Sequence, residues 1–547
     1  MLKKKDILTI LFINAFFLAI CLLFGKLQYG SLDDFFMAGV LTGIHGNSYN
    51  PHLYFVNALY GYALLPLYHF FPKIGWYYIG EMFGSFCSLT LISLIIVKKT
   101  GRWWGTLLAS IFVAGFCSDV YLVTQFTHCG ALFSAAGMLS VLFGVLEEKK
   151  HFCIAGAVLV LWGSMMRWQA FEMGVPFAAL LVLFLYKDLW LRKKAFAFWL
   201  SVICLLVGAC HFIDKHLYLT EDYKTFSAIQ GPRSALGDGS NYNMQAVYED
   251  LEEIGKSGKD YAMLTQWVFY DTEHFKTDSL REILKYVEQY RNVPSPQRVL
   301  SGSLDVLNGF FDYPSGQVFF IFCVFAFVSK KGRYAWLSLI IFLALTSYLL
   351  YLNRLVYRVE MGLLLYATVF TIPLLKQLRG FSPKLLYTIL FLFAFVNILI
   401  YSETGACVRN PQNGVNEPLV SSSDTTNYDL VFKYINENPS KMFLVSMGTY
   451  MNLARHKNPP YVATPKGEFK RIVSFGYWTP YLPEITESLK EFGIVNPIKD
   501  VVHDNVVVIG ENGLNDYLQR HYYDSVQVQV LHEIDDVVFY KYSVVEK

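Results

Sequence analysis

The chain has 547 residues, 54% of them hydrophobic and 16% charged, where an ordinary soluble domain carries roughly 25% charged residues. That balance excludes a purely soluble protein. A net charge of +2 with 17% aromatic residues also excludes intrinsic disorder and a basic nucleic-acid binder, leaving a polytopic α-helical membrane protein.

The chain opens with Lys3-Lys4-Lys5 and an apolar run to Gly25. No small-residue cleavage site follows, so this reads as an uncleaved first span rather than a signal peptide. Apolar stretches near bilayer length predict eleven spans, at 7–25, 76–97, 104–118, 129–146, 152–166, 174–186, 195–213, 317–329, 334–352, 361–375 and 384–401. With the N-terminus inside, 18 Lys and Arg residues fall at alternate connections (3–5, 98–102, 149–150, 187–194, 330–333 and 376–384). The opposite ends carry five, Lys26, Lys73, Arg167, Arg354 and Arg358, as the positive-inside bias requires. The stretch 54–71 is long enough to cross, but counting it would invert every later cluster. With Asn57, Gly61, Pro66 and His69, it is expected to lie in or dip into the outer interface. No Asp, Glu, Lys or Arg is expected deep within a span.

The domain expected from these spans is 1–402, with a first outer loop at 26–75 and a large outer loop at 214–316. The large loop is helical in pattern at 245–254 and 278–290, with turns at Gly231-Pro232-Arg233 and Gly237-Asp238-Gly239. After a Ser-, Asn- and Pro-rich linker at 402–425, the tail 403–547 reads as a small extracytoplasmic α/β domain. Strand-like runs at 443–446, 505–509, 525–531 and 537–542 alternate there with helix-like runs at 428–436, 485–492 and 514–521. The two outer regions together carry a net −11, which leaves +13 on the membrane part. Eight of the nine cysteines lie in or beside apolar runs and only Cys407 in a polar one, so neither a structural disulfide nor a cysteine metal site is expected.

Chemistry is expected where residues break these patterns. Asp33 and Asp34 follow the first span directly. Adjacent carboxylates at a low-dielectric edge resist double ionisation, which suits one of them to act as general base toward a hydroxyl. The competing reading is that they cap a helix beginning at Phe35. Arg354 and Arg358 are four residues apart and share a face if a helix has begun there. Such a pair suits phosphate oxygens, although snorkelling also places arginines at helix ends. Arg167 repeats the exception, and its one local partner, Glu172 at i+5, matches a helix face poorly. His45, Asn50 and His52 form a polar cluster in the first outer loop. The two histidines with Asp33 could ligate a divalent metal, or they are plain surface polarity. Gln125 and His128 could donate to a sugar or diphosphate, or simply cap the fourth span. Glu360 closes the Asn353-to-Glu360 motif. No resident cofactor is expected, because the chain has no phosphate-cradling glycine loop, no Gly-x-Ser-x-Gly elbow and no zinc spacing.

The acidic pair past the first span, the aromatic-proline stretch 49–76, the basic residues at later outer helix ends and the extracytoplasmic tail resemble the GT-C membrane glycosyltransferases. That resemblance implies a multi-pass enzyme of a bacterial plasma membrane with its site facing outside. It would take a sugar from a polyprenyl-phosphate-linked donor and pass it to a glycan, lipid or protein acceptor. It assigns the base to Asp33 or Asp34 and the donor phosphate to Arg354 and Arg358, with Arg167 as a third. His45, Asn50, His52, Gln125, His128 and Glu360 are further candidate substrate contacts on the residue reading alone. Asn50-Pro51-His52-Leu53 stands where better-defined branches carry a Pro-Pro-Leu signature, so the donor sugar and acceptor do not carry over. Two alternatives are a transporter or flippase for a lipid-linked glycan, with charged sites near the midplane, and a polymerase or ligase using the same arginines without Asp33.

Overall fold

The computed structural model describes residues 3–237, 257–311, 313–377, 426–457, 459–511 and 513–545, with short pieces at 242, 246–247, 251–252, 388, 392, 407–409 and 416–418. The first ten expected apolar segments are all helices: Lys4–Phe24, Trp76–Thr100, Arg102–Cys117, Phe126–Leu146, Lys150–Met166, Trp168–Phe184, Lys193–Leu217, Pro314–Val328, Gly332–Tyr351 and Tyr357–Val369. The eleventh, 384–401, lies outside the described residues apart from Thr388 and Leu392, as does most of the linker 402–425. Among the described residues, six helices are long and apolar enough to cross a membrane, or seven if the bent pair Pro296–Phe311 and Pro314–Val328 is one span. Lys150–Met166 and Trp168–Phe184 have 17 residues each, about 25 Å at a rise of 1.5 Å per residue.

Lipid contact is written on these helices. Lys193–Leu217 buries only Val207, and Phe198, Leu205 and Phe212 are each more than half exposed. A surface this apolar is stable against acyl chains and not against water. The basic connections gather at one end of the bundle. Arg102 pairs with Asp6 at 3.4 Å, Arg192 with Glu148 at 3.2 Å, and the Lys376 amide donates to Ser329 Oγ at 3.1 Å. Gly101, at φ +87°, makes the break between the helices Trp76–Thr100 and Arg102–Cys117, a backbone conformation that favours glycine. One buried polar residue stitches the first helix to its neighbours. Asn14 donates to the Phe86 carbonyl at 2.9 Å and to Thr90 at 2.8 Å, and accepts from the Tyr121 hydroxyl at 2.6 Å.

At the opposite end the chain leaves the first helix through β1 (Gln28–Tyr29), which pairs in parallel with β2 (Val123–Thr124) after the third long helix. This places the helix Leu32–Thr42 over the start of Phe126–Leu146. The stretch expected at the interface forms the 13-residue helix Ala58–Phe70, with Pro66 inside it and Tyr62, Leu67 and Phe70 exposed. In the large loop, Thr277–Val287 is helical as expected, and 245–254 lies mostly outside the described residues. Gly231-Pro232 is not a turn. It sits within the helix Glu221–Gly237, which absorbs a proline that lacks the N–H for one helical bond.

The short strands β3 (Cys407–Arg409) and β4 (Asn416–Pro418) pair antiparallel. From Thr426 onward the chain forms a five-stranded mixed sheet. Its order is β6 (Ile472–Ser474), β5 (Met442–Val445), β7 (Val506–Ile509), β9 (Val537–Val544), β8 (Val526–Ile534). The three parallel strands are buried throughout, with helices Tyr428–Glu437, Met447–Arg455, Pro483–Glu491 and Leu514–His521 around them. Strand β6 and the helix Met447–Arg455 are absent from the sequence reading, since a three-residue strand has too short a pattern to detect. Backbone hydrogen bonds dock this unit on both ends of the first long loop. Gly467 N donates to Gly43 O and Phe469 N to Ile44 O at 2.9 Å, and Gly75 N donates to Tyr461 O at 2.9 Å.

Asn14→Ala removes the stitch and leaves Tyr121 and Thr90 partnerless. The expected cost is about 1–3 kcal/mol, read as a lower unfolding temperature of the detergent-purified protein, with Asn14→Gln recovering part of it.

Candidate active site

The acidic pair lies in the first turn of the helix Leu32–Thr42, whose N-cap is Ser31, with Ser31 Oγ accepting from the Asp33 amide at 3.2 Å. Ser31, not the aspartates, therefore caps this helix. Successive helical residues point about 100° apart, and the two carboxyls part company. Asp34 is fully buried and Asp33 half-buried.

Asp34 is tied to the scaffold. Its Oδ1 accepts from the Tyr77 hydroxyl at 2.9 Å and from the Phe126 amide at 3.1 Å. Phe126 opens the helix Phe126–Leu146, and the N-cap residue Gln125 provides no side-chain cap. Asp34, arriving from another part of the chain, satisfies an orphan N–H at the positive end of that helix. Its other carboxyl neighbour is Glu81, fully buried in the second turn of Trp76–Thr100. Burial pushes the Asp34 carboxyl well up, the Tyr77 hydrogen bond opposes this, and the charge of Asp33 adds to the rise. Two buried carboxyls this close resist double ionisation. Glu81 is a buried carboxyl inside the expected span 76–97, close to its outer end rather than deep within it.

Asp33 faces outward. Its Oδ1 accepts from the Tyr477 hydroxyl at 2.6 Å and its Oδ2 from Ser31 Oγ at 3.0 Å. Tyr477 belongs to the C-terminal unit and holds a φ of +76°, a conformation that costs a non-glycine residue on the order of 1–2 kcal/mol. Burial, and next the charge of Asp33, push its phenol well above the ordinary range, so Tyr477 stays a donor.

Arg167 stands at the joint between Lys150–Met166 and Trp168–Phe184. Its guanidinium lies 5.2 Å from the Phe126 ring and 5.5 Å from the Phe55 ring. Trp478 packs edge-on behind Phe55 at 5.7 Å. Burial and then the charge of Arg358 bring Arg167 down to about 10, against the pull of Asp33, so it remains a cation at neutral pH. Glu172 is exposed and forms no ion pair with it. Arg358 sits half-buried in the first turn of Tyr357–Val369, and its charge acts on both Arg167 and His128. Among the described residues neither arginine has a carboxylate within ion-pair distance. His128 Nδ1 lies 3.0 Å from the Asp119 carbonyl oxygen. The Asp119 carboxylate accepts from the Tyr357 hydroxyl at 2.9 and 3.1 Å, which fixes the start of the helix that carries Arg358.

The structure therefore brings Asp33, Asp34, Arg167, Arg358 and His128 into one neighbourhood and leaves other expected residues elsewhere. Arg354 does not share a helix face with Arg358. Asn353, at φ +52°, turns the chain, the helix begins only at Tyr357, and the exposed Arg354 lies instead near Tyr242. Asn50 donates to the Tyr223 hydroxyl at 2.6 Å and to Glu484, and His52 stacks on Tyr223 at 4.2 Å, so both tie the first loop to the large loop and the sheet unit. His45 is buried beneath the C-terminal unit, 3.4 Å from the Tyr450 hydroxyl. Gln125 is the buried N-cap position beside Phe126, and Glu360 is buried two residues beyond Arg358, on the other side of the same first turn. His45, His52 and Asp33 thus occupy three different surroundings. Among the described residues no group of His, Cys, Asp and Glu is placed to hold a metal ion. Sequence reading missed Glu81, Tyr477, Asp119 and Phe55. Glu81 alone carried a local signal, a lone carboxylate inside an apolar run.

No family model matches the chain, and no curated protein matches it. Among solved structures, the crystal structure of ArnT from Cupriavidus metallidurans bound to undecaprenyl phosphate aligns over 97% of each chain with 10% identity and a TM-score of 0.38.

Two outcomes follow from this geometry. Asp34→Ala leaves the Phe126 amide and the Tyr77 hydroxyl without acceptors, at about 1–3 kcal/mol for each group. Asp34→Asn keeps the acceptor oxygen and most of the stability, both read by thermal unfolding in detergent. For His45, burial pushes the imidazole down to about 3, below its unfolded value. Its contribution is complete above pH 6.5 and is lost as the pH falls from there toward 3. Acidification to pH 5 is expected to cost about 2 kcal/mol through this residue, and His45→Phe flattens that part of the slope of unfolding temperature against pH.

Proposed function

We propose that this chain is a GT-C-type membrane glycosyltransferase that moves a sugar from a polyprenyl-phosphate-linked donor to an acceptor hydroxyl. The site faces the side of the membrane opposite the Lys- and Arg-rich helix ends, which is the outside under the positive-inside rule. The observation that carries the reading is that Arg167, seated against Phe55 and Phe126, and the half-buried Arg358 are near enough for their like charges to act on each other, and neither has a carboxylate ion pair among the described residues. Such a pair is stable when an anion lies between its members, and arginine's planar fork suits phosphate oxygens.

In this mechanism the acceptor hydroxyl gives its proton to Asp33 as its oxygen bonds to the anomeric carbon. The bond from that carbon to the donor phosphate oxygen breaks, and its electron pair leaves on the phosphate. Arg167 and Arg358 stabilise the charge that develops there. Asp33 is the base because it is half-buried and faces outward, whereas Asp34 is held by the fold. Tyr477 and Ser31 aim the Asp33 carboxylate, and the Phe55 and Phe126 faces keep Arg167 in place. The transferred sugar is a hexose or pentose and the acceptor a glycan, a lipid or a protein.

A transporter or flippase draws less support. The buried carboxyls Glu81 and Asp119 lie at the Asp33 end of their helices, not near the midplane where a transport site belongs. A polymerase or ligase would use the same arginines and dispense with Asp33.

The test is transfer of radiolabelled sugar from a synthetic polyprenyl-phosphate donor by the purified protein. Asp33→Asn is expected to lower kcat by about 10²–10⁴-fold, and Arg358→Ala to raise KM for the donor and lower kcat by about 10²-fold. Full activity in Asp33→Asn removes the general-base assignment and favours the polymerase or ligase reading. Movement of labelled lipid between leaflets without sugar transfer favours transport.

A further inference from the structure

A cavity of about 450 Å³ lies between the end of the first span helix and the C-terminal sheet unit, and neither arginine of the active site lines it. Its floor is apolar, formed by Leu22, Leu27 and Phe35, and its rim carries Lys26, Arg455 and Lys457. No Asp or Glu is among the lining residues. The rim cations differ in how far they are already engaged. Lys457 pairs with Glu468, and its Nζ lies 3.5 Å over the Phe432 ring. Arg455 donates to the neutral Asn452 side-chain oxygen at 3.3 Å. Among the described residues neither Arg455 nor Lys26 has a carboxylate within ion-pair distance, and both are exposed.

The position of the cavity identifies what could fill it. The helix Lys4–Phe24 faces lipid to its last turn, with Leu23 and Phe24 exposed, and Lys26 follows two residues on. The cavity therefore sits where hydrocarbon gives way to headgroups, with its apolar floor on the hydrocarbon side and two uncommitted cations above it. A free anion would use the rim and leave the floor empty. A neutral lipid would use the floor and leave the cations unpaired. An amphiphile with a phosphate on a glycerol-lipid headgroup matches both.

We propose that this cavity is a binding site for one phosphate-bearing membrane lipid, with its headgroup on Lys26 and Arg455 and its chain against Leu22, Leu27 and Phe35. The proposal goes beyond the transferase reading and does not depend on it. Ser31 also lines the cavity and bonds to Asp33, so the lipid would lie one residue from the acidic pair.

The experiment is native mass spectrometry of the full chain in detergent, titrated separately with phosphatidylglycerol and with diacylglycerol of the same chains. One phosphatidylglycerol per chain is expected to bind about tenfold or more tightly than diacylglycerol, since each of the two cations near a lipid headgroup contributes about fivefold. Lys26→Ala with Arg455→Ala is expected to erase that preference, while Lys285→Ala, an exposed lysine on another helix, keeps it. Equal binding of the two lipids, or an unchanged preference in the double variant, overturns the proposal. Displacement of phosphatidylglycerol by millimolar inorganic phosphate also overturns it, by making the site one for free anions. Because the readout is binding, failure here leaves the transferase reading untouched, and failure of sugar transfer leaves this site untouched.

Discussion

The buried Asp34 carboxyl is the tie on which the arrangement of the site depends. One oxygen holds the first turn of Leu32–Thr42, the start of Phe126–Leu146 and, through Tyr77, the start of Trp76–Thr100. Three segments far apart in sequence are thus fixed to one atom in a place without water, where each polar group left unpaired would cost a full desolvation penalty. The position of every other site residue can be traced from there. Phe126 carries one of the two ring faces under Arg167, and His128 is two residues further along the same helix.

That tie separates two aspartates that composition treats as equals. A carboxyl that is fully buried and used as a helix cap is poorly placed to exchange protons with a substrate. Its neighbour has no such duty. The Asp33 partners are two hydroxyls, which orient a carboxylate without neutralising it. The cost of burying Asp34 is therefore what leaves Asp33 free, in the sense of two carboxyls whose surroundings push them toward different roles.

Much of this was legible in the sequence, for a physical reason. Lysine and arginine cannot lie in hydrocarbon without large cost, so their spacing marks helix ends, and the first ten expected segments are helices. Short apolar runs marked the buried strands β5 and β7, and more alternating runs marked β8 and β9. The rest involves partners that no local pattern encodes. Tyr477 reaches Asp33 across 444 residues of sequence, and nothing near either residue signals the other. Arg354 and Arg358 looked like one helix face because their spacing is four, but Asn353 turns the chain between the two helices and delays the helix start to Tyr357. Gly231-Pro232 looked like a turn, yet the packing of Tyr223, Phe226, Ile229 and Leu236 holds the helix through it. At Gly231-Pro232 tertiary contact overrode a local preference that was itself read correctly, whereas at Arg354 the local turn at Asn353 decided.

The same reasoning explains why the C-terminal unit belongs to the site rather than beside it. Tyr54 and Tyr477 both hold positive φ, and their segments meet where Tyr54 stacks on Trp478 at 5.8 Å. Strained backbone persists only where its surroundings over-determine it. Here those surroundings are backbone bonds from Gly467, Phe469 and Gly75 across the junction and a Tyr54 amide that donates to the Tyr218 hydroxyl at 2.7 Å. The sheet unit presses Tyr477 onto Asp33 and Trp478 onto Phe55, and Phe55 in turn flanks Arg167. A unit that only shielded the membrane part could dock without strained residues at its contact. One that sets the direction of a carboxylate and the seat of a guanidinium has to hold them rigidly, and the two strained tyrosines mark where it does so.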